Sequence, residues 1–111
     1  GITNALLAAG YTADNFPVIT GQDCDITSVQ NIIKGTQAMS IFKDTRELAS
    51  QVVKMVDAIM NGEEPEVNDT ESYDNGTGVI PTYLCDPVFA DKDNYKELLI
   101  DSGYYTEDQL Q

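Results

Sequence analysis

Asp23 and Lys43, twenty positions apart, each stand just beyond a short apolar run: Phe16-Pro17-Val18-Ile19-Thr20 before the first, Ala38-Met39-Ser40-Ile41-Phe42 before the second. If both runs are paired strands, the two side chains project from neighbouring carboxyl ends toward one crevice, which is where open α/β sheets bind ligands. An ionised carboxylate accepts hydrogen bonds from two vicinal hydroxyls, and an ammonium donates to a third. Such charge-assisted bonds are about twice as strong as neutral ones, so the pair suits a polyol. A plainer assignment stands beside it: Asp23 or Asp25 caps the helix that follows, and Lys43 is a solvated lysine at a strand end.

The rest of the inventory narrows the chemistry. There is no histidine, so Cys/His and Ser/His/Asp nucleophile systems and His-ligated zinc are excluded, and proton transfer is left to carboxylates, lysine and tyrosine. Asp23 and Asp25 are the one carboxylate pair at the crevice that a glycosidase could use, and nothing else supports them in that role. Cys24 has no histidine to activate it, and carboxylates on both sides raise its pKa. With Cys85 it forms neither a metal knuckle nor a disulfide framework, so two free, partly buried thiols are expected. Asp69, Asp74, Asp91 and Asp93 fail the spacing of a calcium loop, since a loop begun at Asp69 places Tyr73 at its fifth position. Turn formation is their expected role. No metal, no cofactor and no catalytic residue are expected.

Charge argues about partners. Six basic residues against nineteen acidic ones leave a formal charge of -13, and that surface repels phosphate backbones and anionic head groups. Nucleic acid and membrane surfaces are poor partners. No apolar run is long enough to span a bilayer, and no basic-then-apolar leader opens the chain.

The elements that must position Asp23 and Lys43 follow from periodicity and punctuation. Residues 2–9 read as the end of a helix with Gly10 beyond its last turn, and residues 16–20 as a buried strand. Ile26, Val29, Ile32 and Ile33 recur at helical spacing up to Lys34-Gly35, and residues 38–42 make a second buried strand. Asp44 with Glu47 has capping-box spacing ahead of a helix whose stripe is Leu48, Val52, Met55, Val56, Ile59 and Met60. Residues 70–73 and 79–85 flank Asp74-Asn75-Gly76 as a hairpin. Residues 93–102 form a helix with Tyr95, Leu98 and Leu99 on one face, and Thr106 with Gln109 caps a last short turn.

This alternation predicts an α/β fold with a mainly parallel sheet flanked by helices. Two strands of βαβ type are too few for such a sheet, so the chain is expected to be a piece of something larger. The stripe from Leu48 to Met60 then needs a covering surface from another segment or from a second copy, and self-association of the fragment is expected.

Taken together, Gly21-Gln22-Asp23, Ile33-Lys34-Gly35-Thr36-Gln37-Ala38-Met39-Ser40-Ile41-Phe42-Lys43-Asp44, Tyr73-Asp74-Asn75-Gly76, Val79-Ile80-Pro81-Thr82-Tyr83-Leu84, Asp91-Lys92-Asp93-Asn94-Tyr95 and Asp101-Ser102-Gly103-Tyr104-Tyr105-Thr106 strongly resemble the C-terminal third of bacterial multiple-sugar-binding and xylose-binding receptors. These are type I periplasmic binding proteins of ABC importers. The resemblance implies a two-lobed protein that closes on a monosaccharide (an aldose), with no catalysis. It places the sugar-hydroxyl contacts on Asp23 and Lys43, and the partner of the full-length protein would be an ABC permease. Residues 1–43 would belong to the C-terminal sugar-binding lobe, 44–82 to the hinge and a segment packed with the N-terminal lobe, and 83–111 to a return strand, helix and tail. A periplasmic or extracellular address is implied, with lipid anchoring of the full-length protein left open. The same fold hosts sugar-sensing effector domains of bacterial repressors, which is the alternative function.

Overall fold

Helix starts are set by side chains that satisfy first-turn amides. The computed structural model describes all 111 residues, and in it the Asp25 carboxylate accepts from the Ser28 amide at 2.6 Å. Helix α2 (Ile26–Lys34) follows and ends at Gly35, whose φ of 80° is left-handed. Helix α1 (Ile2–Ala8) likewise gives way to a left-handed Gly10 at φ 91°. Helix α3 (Thr45–Met60) starts at Asp44, whose carboxylate accepts from the Arg46 amide at 2.9 Å. The Glu47 amide, at the expected capping position, also donates to this carboxylate, and the Arg46 guanidinium pairs with it at 2.7 Å. The Arg46 side chain first, then these amides, hold the Asp44 carboxyl below its usual range. At the far end, the Thr106 amide donates to Gln109 Oε1 at 2.8 Å and opens α4 (Glu107–Leu110).

The sheet has three strands in the order β1 (Thr20–Gln22), β2 (Met39–Phe42), β3 (Val88–Asp91). β1 and β2 are parallel, in register Thr20 to Met39 and Gln22 to Ile41. β3 returns antiparallel on the other side of β2, with Ser40 opposite Ala90. The first strand begins later than its apolar run predicts. Residues 16–18 lie outside the ladder and Val18 is 85% exposed; pairing with β2 begins only where Thr20 meets Met39, and Pro17 has no amide to donate.

The chain divides into two units, residues 1–43 with 87–111, and residues 44–86. In the first, Cys24, Val29, Phe42, Ala90, Leu99 and Leu110 form the buried core, with Ile33, Tyr95, Leu98, Ile100, Tyr104 and Tyr105 packed around it. The predicted helix over 93–102 is a π-helix at Lys96–Asp101 that buries Leu99. The ring of Tyr104 stands edge-on to Phe42 at 4.8 Å and to Tyr105 at 4.9 Å, a geometry that aligns the positive ring edge with the negative ring face.

In the second unit, the hairpin over 70–85 is reduced to two isolated antiparallel bridges, Asp69 with Thr82 and Asp74 with Val79. The reason is local. The Asp69 carboxylate accepts from the amides of Glu71 and Ser72 at 3.0 and 2.9 Å and from the Ser72 hydroxyl, which bends the backbone where a strand would extend it. Pro81 removes a further ladder donor. Leu48, Val52, Val53, Val56, Ile59 and Met60 of α3 are all exposed.

Candidate functional site

The parallel pairing of β1 with β2 brings the two candidate residues together. Asp23 follows β1 directly, and its amide continues the ladder by donating to the Ile41 carbonyl at 2.7 Å. Lys43 follows β2, and its Nζ lies 2.8 Å from Asp23 Oδ1 and 2.8 Å from Gln22 Oε1. The side chains of Lys43 and Asp23 are 51% and 68% exposed, so this ion pair is screened by solvent and worth roughly 0 to 1 kcal/mol. An ammonium has three donors and a carboxylate about four lone-pair positions. The cluster can therefore take on hydroxyl groups without dismantling a strong native contact.

The competing capping role falls to Asp25, which holds the Ser28 amide. Asp23 sits outside the helix instead, in a turn with unusual backbone. Asp23 has φ 79° and Cys24 φ 48°, two consecutive left-handed residues that lack the freedom of glycine, at about 1 to 3 kcal/mol each when bulky. Aspartate tolerates that region better than most residues. Three further bonds hold the turn. The Cys24 amide donates to Ser40 Oγ at 3.1 Å, the Cys24 thiol donates to the Ser40 carbonyl at 3.5 Å, and the Tyr105 hydroxyl donates to the Cys24 carbonyl at 2.9 Å.

Gly21 has a steric reason to precede this turn. A Cβ there would lie 2.5 Å from Gln37 Nε2, and that buried amide donates to Ser28 Oγ at 2.6 Å and to the Met39 carbonyl at 3.1 Å. It thereby links α2 to the start of β2. Sequence reasoning overlooked Gln22, Ser40 and Tyr105 as members of the site. Gln22 was signalled only by its place at the strand end. Ser40 is the polar residue among the inward positions of β2, and nothing local marks Tyr105.

Both cysteines are free, Cys24 buried and Cys85 half-buried. Burial pushes the Cys24 thiol above its ordinary range against the opposing pull of its hydrogen bond with Ser40, and the carboxylates of Asp23 and Asp25 raise it further. Because folding raises this pKa, the protonated thiol's contribution to stability is complete below the unfolded thiol's pKa and is lost as pH rises through the folded value. Alkylation by iodoacetamide at mildly alkaline pH is accordingly expected to label Cys85 well before Cys24, as read by peptide mass spectrometry. Equal rates would contradict the buried, neutral thiol.

No group of three or more metal-ligating side chains converges anywhere in the structure. Asp69 accepts from turn amides as described, Asp74 accepts from the Gly76 amide at 2.8 Å, and Asp91 from the Asp93 amide at 2.9 Å. No helix is long and apolar enough to cross a membrane.

Residues 1–64 match the model of the periplasmic binding protein domain. The multiple sugar-binding periplasmic receptor ChvE of Rhizobium radiobacter is 51% identical over 112 residues, which is 99% of this chain and 32% of that protein. The D-xylose-binding periplasmic protein of Escherichia coli K12 is 32% identical over 110 residues, again 99% of this chain and 32% of the relative. Among solved structures, an ABC transporter solute-binding protein from Clostridium phytofermentans with bound β-D-glucose is 69% identical and superposes with a TM-score of 0.91, over 99% of this chain and 33% of that one. The chain thus spans about a third of the length of the curated relatives it matches, and its α/β fold is that of the corresponding third of the solved protein.

Proposed function

The chain belongs to the periplasmic binding protein domain family, and from that premise we propose that it is the C-terminal part of a receptor that captures a monosaccharide, without catalysis, for an ABC importer. The observation that carries this reading is the placement of Asp23 and Lys43, 2.8 Å apart, at the carboxyl ends of two paired parallel strands. There a carboxylate acceptor and an ammonium donor meet one ligand. The relatives support the substrate class, since two are named for sugar binding and one solved structure holds β-D-glucose. They also favour a receptor over the effector domain of a repressor.

In this reading residues 1–43 belong to the sugar-binding lobe, residues 44–82 carry the hinge and pack with the N-terminal lobe, and residues 83–111 supply the return strand, helix and tail. The permease is the downstream partner, and the protein works in the periplasm or on the outer cell surface. Lys43→Met in the full-length protein is expected to weaken D-glucose binding about tenfold or more, because a charged donor to a sugar hydroxyl is lost. Its melting temperature without sugar should scarcely move, since the ion pair is exposed. Calorimetric titration of wild type and variant with D-glucose and a panel of aldoses makes the test, and equal affinities across the panel would remove Lys43 from the site.

The same reading accounts for the apolar side of α3. Leu48, Val52, Val56 and Ile59 are each more than half exposed, a contiguous surface that soluble chains normally cover. The N-terminal lobe covers it in the whole receptor, and in the 111-residue chain alone a second copy does. Light scattering of the isolated chain is expected to give a mass above the monomer that falls on Val52→Lys. A strict monomer at high concentration would contradict the assignment.

A further inference from the structure

The turn that carries Asp23 is tied to a residue from the other end of the chain. Cys24 has no local means of staying at φ 48°, because a side chain with a Cβ is disfavoured in the left-handed region. Its backbone is nevertheless held at both polar atoms. The amide donates to Ser40 Oγ at 3.1 Å, and the carbonyl accepts from the Tyr105 hydroxyl at 2.9 Å, a contact between residues 81 positions apart. Tyr105 is in turn placed by its own backbone, since its amide donates to the Leu99 carbonyl at 2.7 Å, and Leu99 is fully buried. The ring of Tyr105 packs edge-on against Tyr104, which does the same against Phe42. A rigid aromatic stack thus ends in one hydroxyl aimed at the peptide that follows Asp23.

We propose that Tyr105 is a positioning residue of the Asp23 site: its hydroxyl, with Ser40 Oγ, locks the left-handed Asp23-Cys24 turn so that the carboxylate meets the sugar already oriented. Backbone in sparsely populated conformations persists where surrounding contacts over-determine it, and such strain gathers at ligand sites. Without the lock the turn would relax toward ordinary backbone angles, and each binding event would have to restore the geometry. A receptor bound in a fractionally populated conformation loses affinity by that fraction. The phenol is suited to the task. Burial first, then Tyr104, Cys24 and Asp25, raise its pKa, so it remains a donor throughout the physiological range.

The inference rests on the proposed sugar site, and a double-mutant cycle in the full-length protein separates the two. D-glucose is titrated calorimetrically into wild type, Asp23→Asn, Tyr105→Phe and the double variant. Tyr105→Phe keeps the ring and removes one hydrogen bond, so affinity is expected to fall about two- to tenfold, while the ligand-free melting temperature changes by a few degrees at most. In the Asp23→Asn background the same substitution is expected to do much less, because a residue acting through Asp23 has nothing left to orient. Equal losses in both backgrounds would reduce Tyr105 to a general stabiliser and overturn the inference. So would unchanged affinity in Tyr105→Phe alongside weakened binding in Asp23→Asn, with the sugar site still standing. Unchanged affinity in Asp23→Asn removes the site itself and the inference with it. If Tyr105→Phe does not fold, Ser40→Ala, which releases the Cys24 amide instead, takes its place in the same cycle.

Discussion

Asp23→Asn is expected to weaken D-glucose binding by the full-length protein roughly ten- to over a hundredfold, the equivalent of about 1.5 to 3 kcal/mol for charge-assisted bonds to two hydroxyls. Asparagine is the informative replacement for a backbone reason as well as a chemical one. Asp23 has φ 79°, and asparagine is among the few non-glycine residues that occupy the left-handed region readily. The turn therefore survives while one carboxylate oxygen becomes an amide donor. Alanine would mix loss of charge with backbone strain. The ligand-free protein should melt within a degree or two of wild type, since the Asp23–Lys43 pair is largely exposed and Asp25 caps α2. Calorimetric titration beside a thermal melt gives both numbers. A drop in stability with undiminished affinity would mean that Asp23 serves the fold and that the sugar sits elsewhere.

The second large effect concerns the core beneath that turn. Leu99 is fully buried in the cluster that contains Cys24, Val29, Phe42 and Ala90, so Leu99→Ala removes three carbons from a close-packed interior that relaxes only in part. The expected loss is about 2 to 5 kcal/mol, transfer energy together with the cavity left behind. That is a large fraction of the roughly 5 to 15 kcal/mol that holds an ordinary domain folded. Urea unfolding should show a lower midpoint with an unchanged slope, as expected when stability falls and the exposed surface does not. A loss below about 1 kcal/mol would mean that the π-helix re-packs freely around the gap.

What the sequence determined by itself was decided within a few residues of chain. Asp25 at its helix start, the left-handed glycines Gly10 and Gly35, and Gln109 reaching back to Thr106 are local solutions for unpaired helix-end amides and carbonyls, and they act across four residues or fewer. The βαβ order followed from those punctuation marks, and with it came the placement of Asp23 and Lys43 at neighbouring strand ends, where the structure brings them to 2.8 Å. Only the tertiary structure decided the rest, because a strand exists by virtue of a partner that the local sequence does not name. The first strand starts at Thr20 instead of Phe16, since its register with β2 begins only where Thr20 meets Met39. β3 forms where β2 offers its free side, 46 residues beyond Phe42 at the pair Phe42 with Val88. The hairpin over 70–85 lost its ladder to the Asp69 carboxylate, whose competing bonds to its own turn outweigh strand propensity. The left-handed Asp23-Cys24 turn and the Tyr105 hydroxyl that grips it belong to the same class: 81 residues of chain separate donor from acceptor, and no local signal spans that distance.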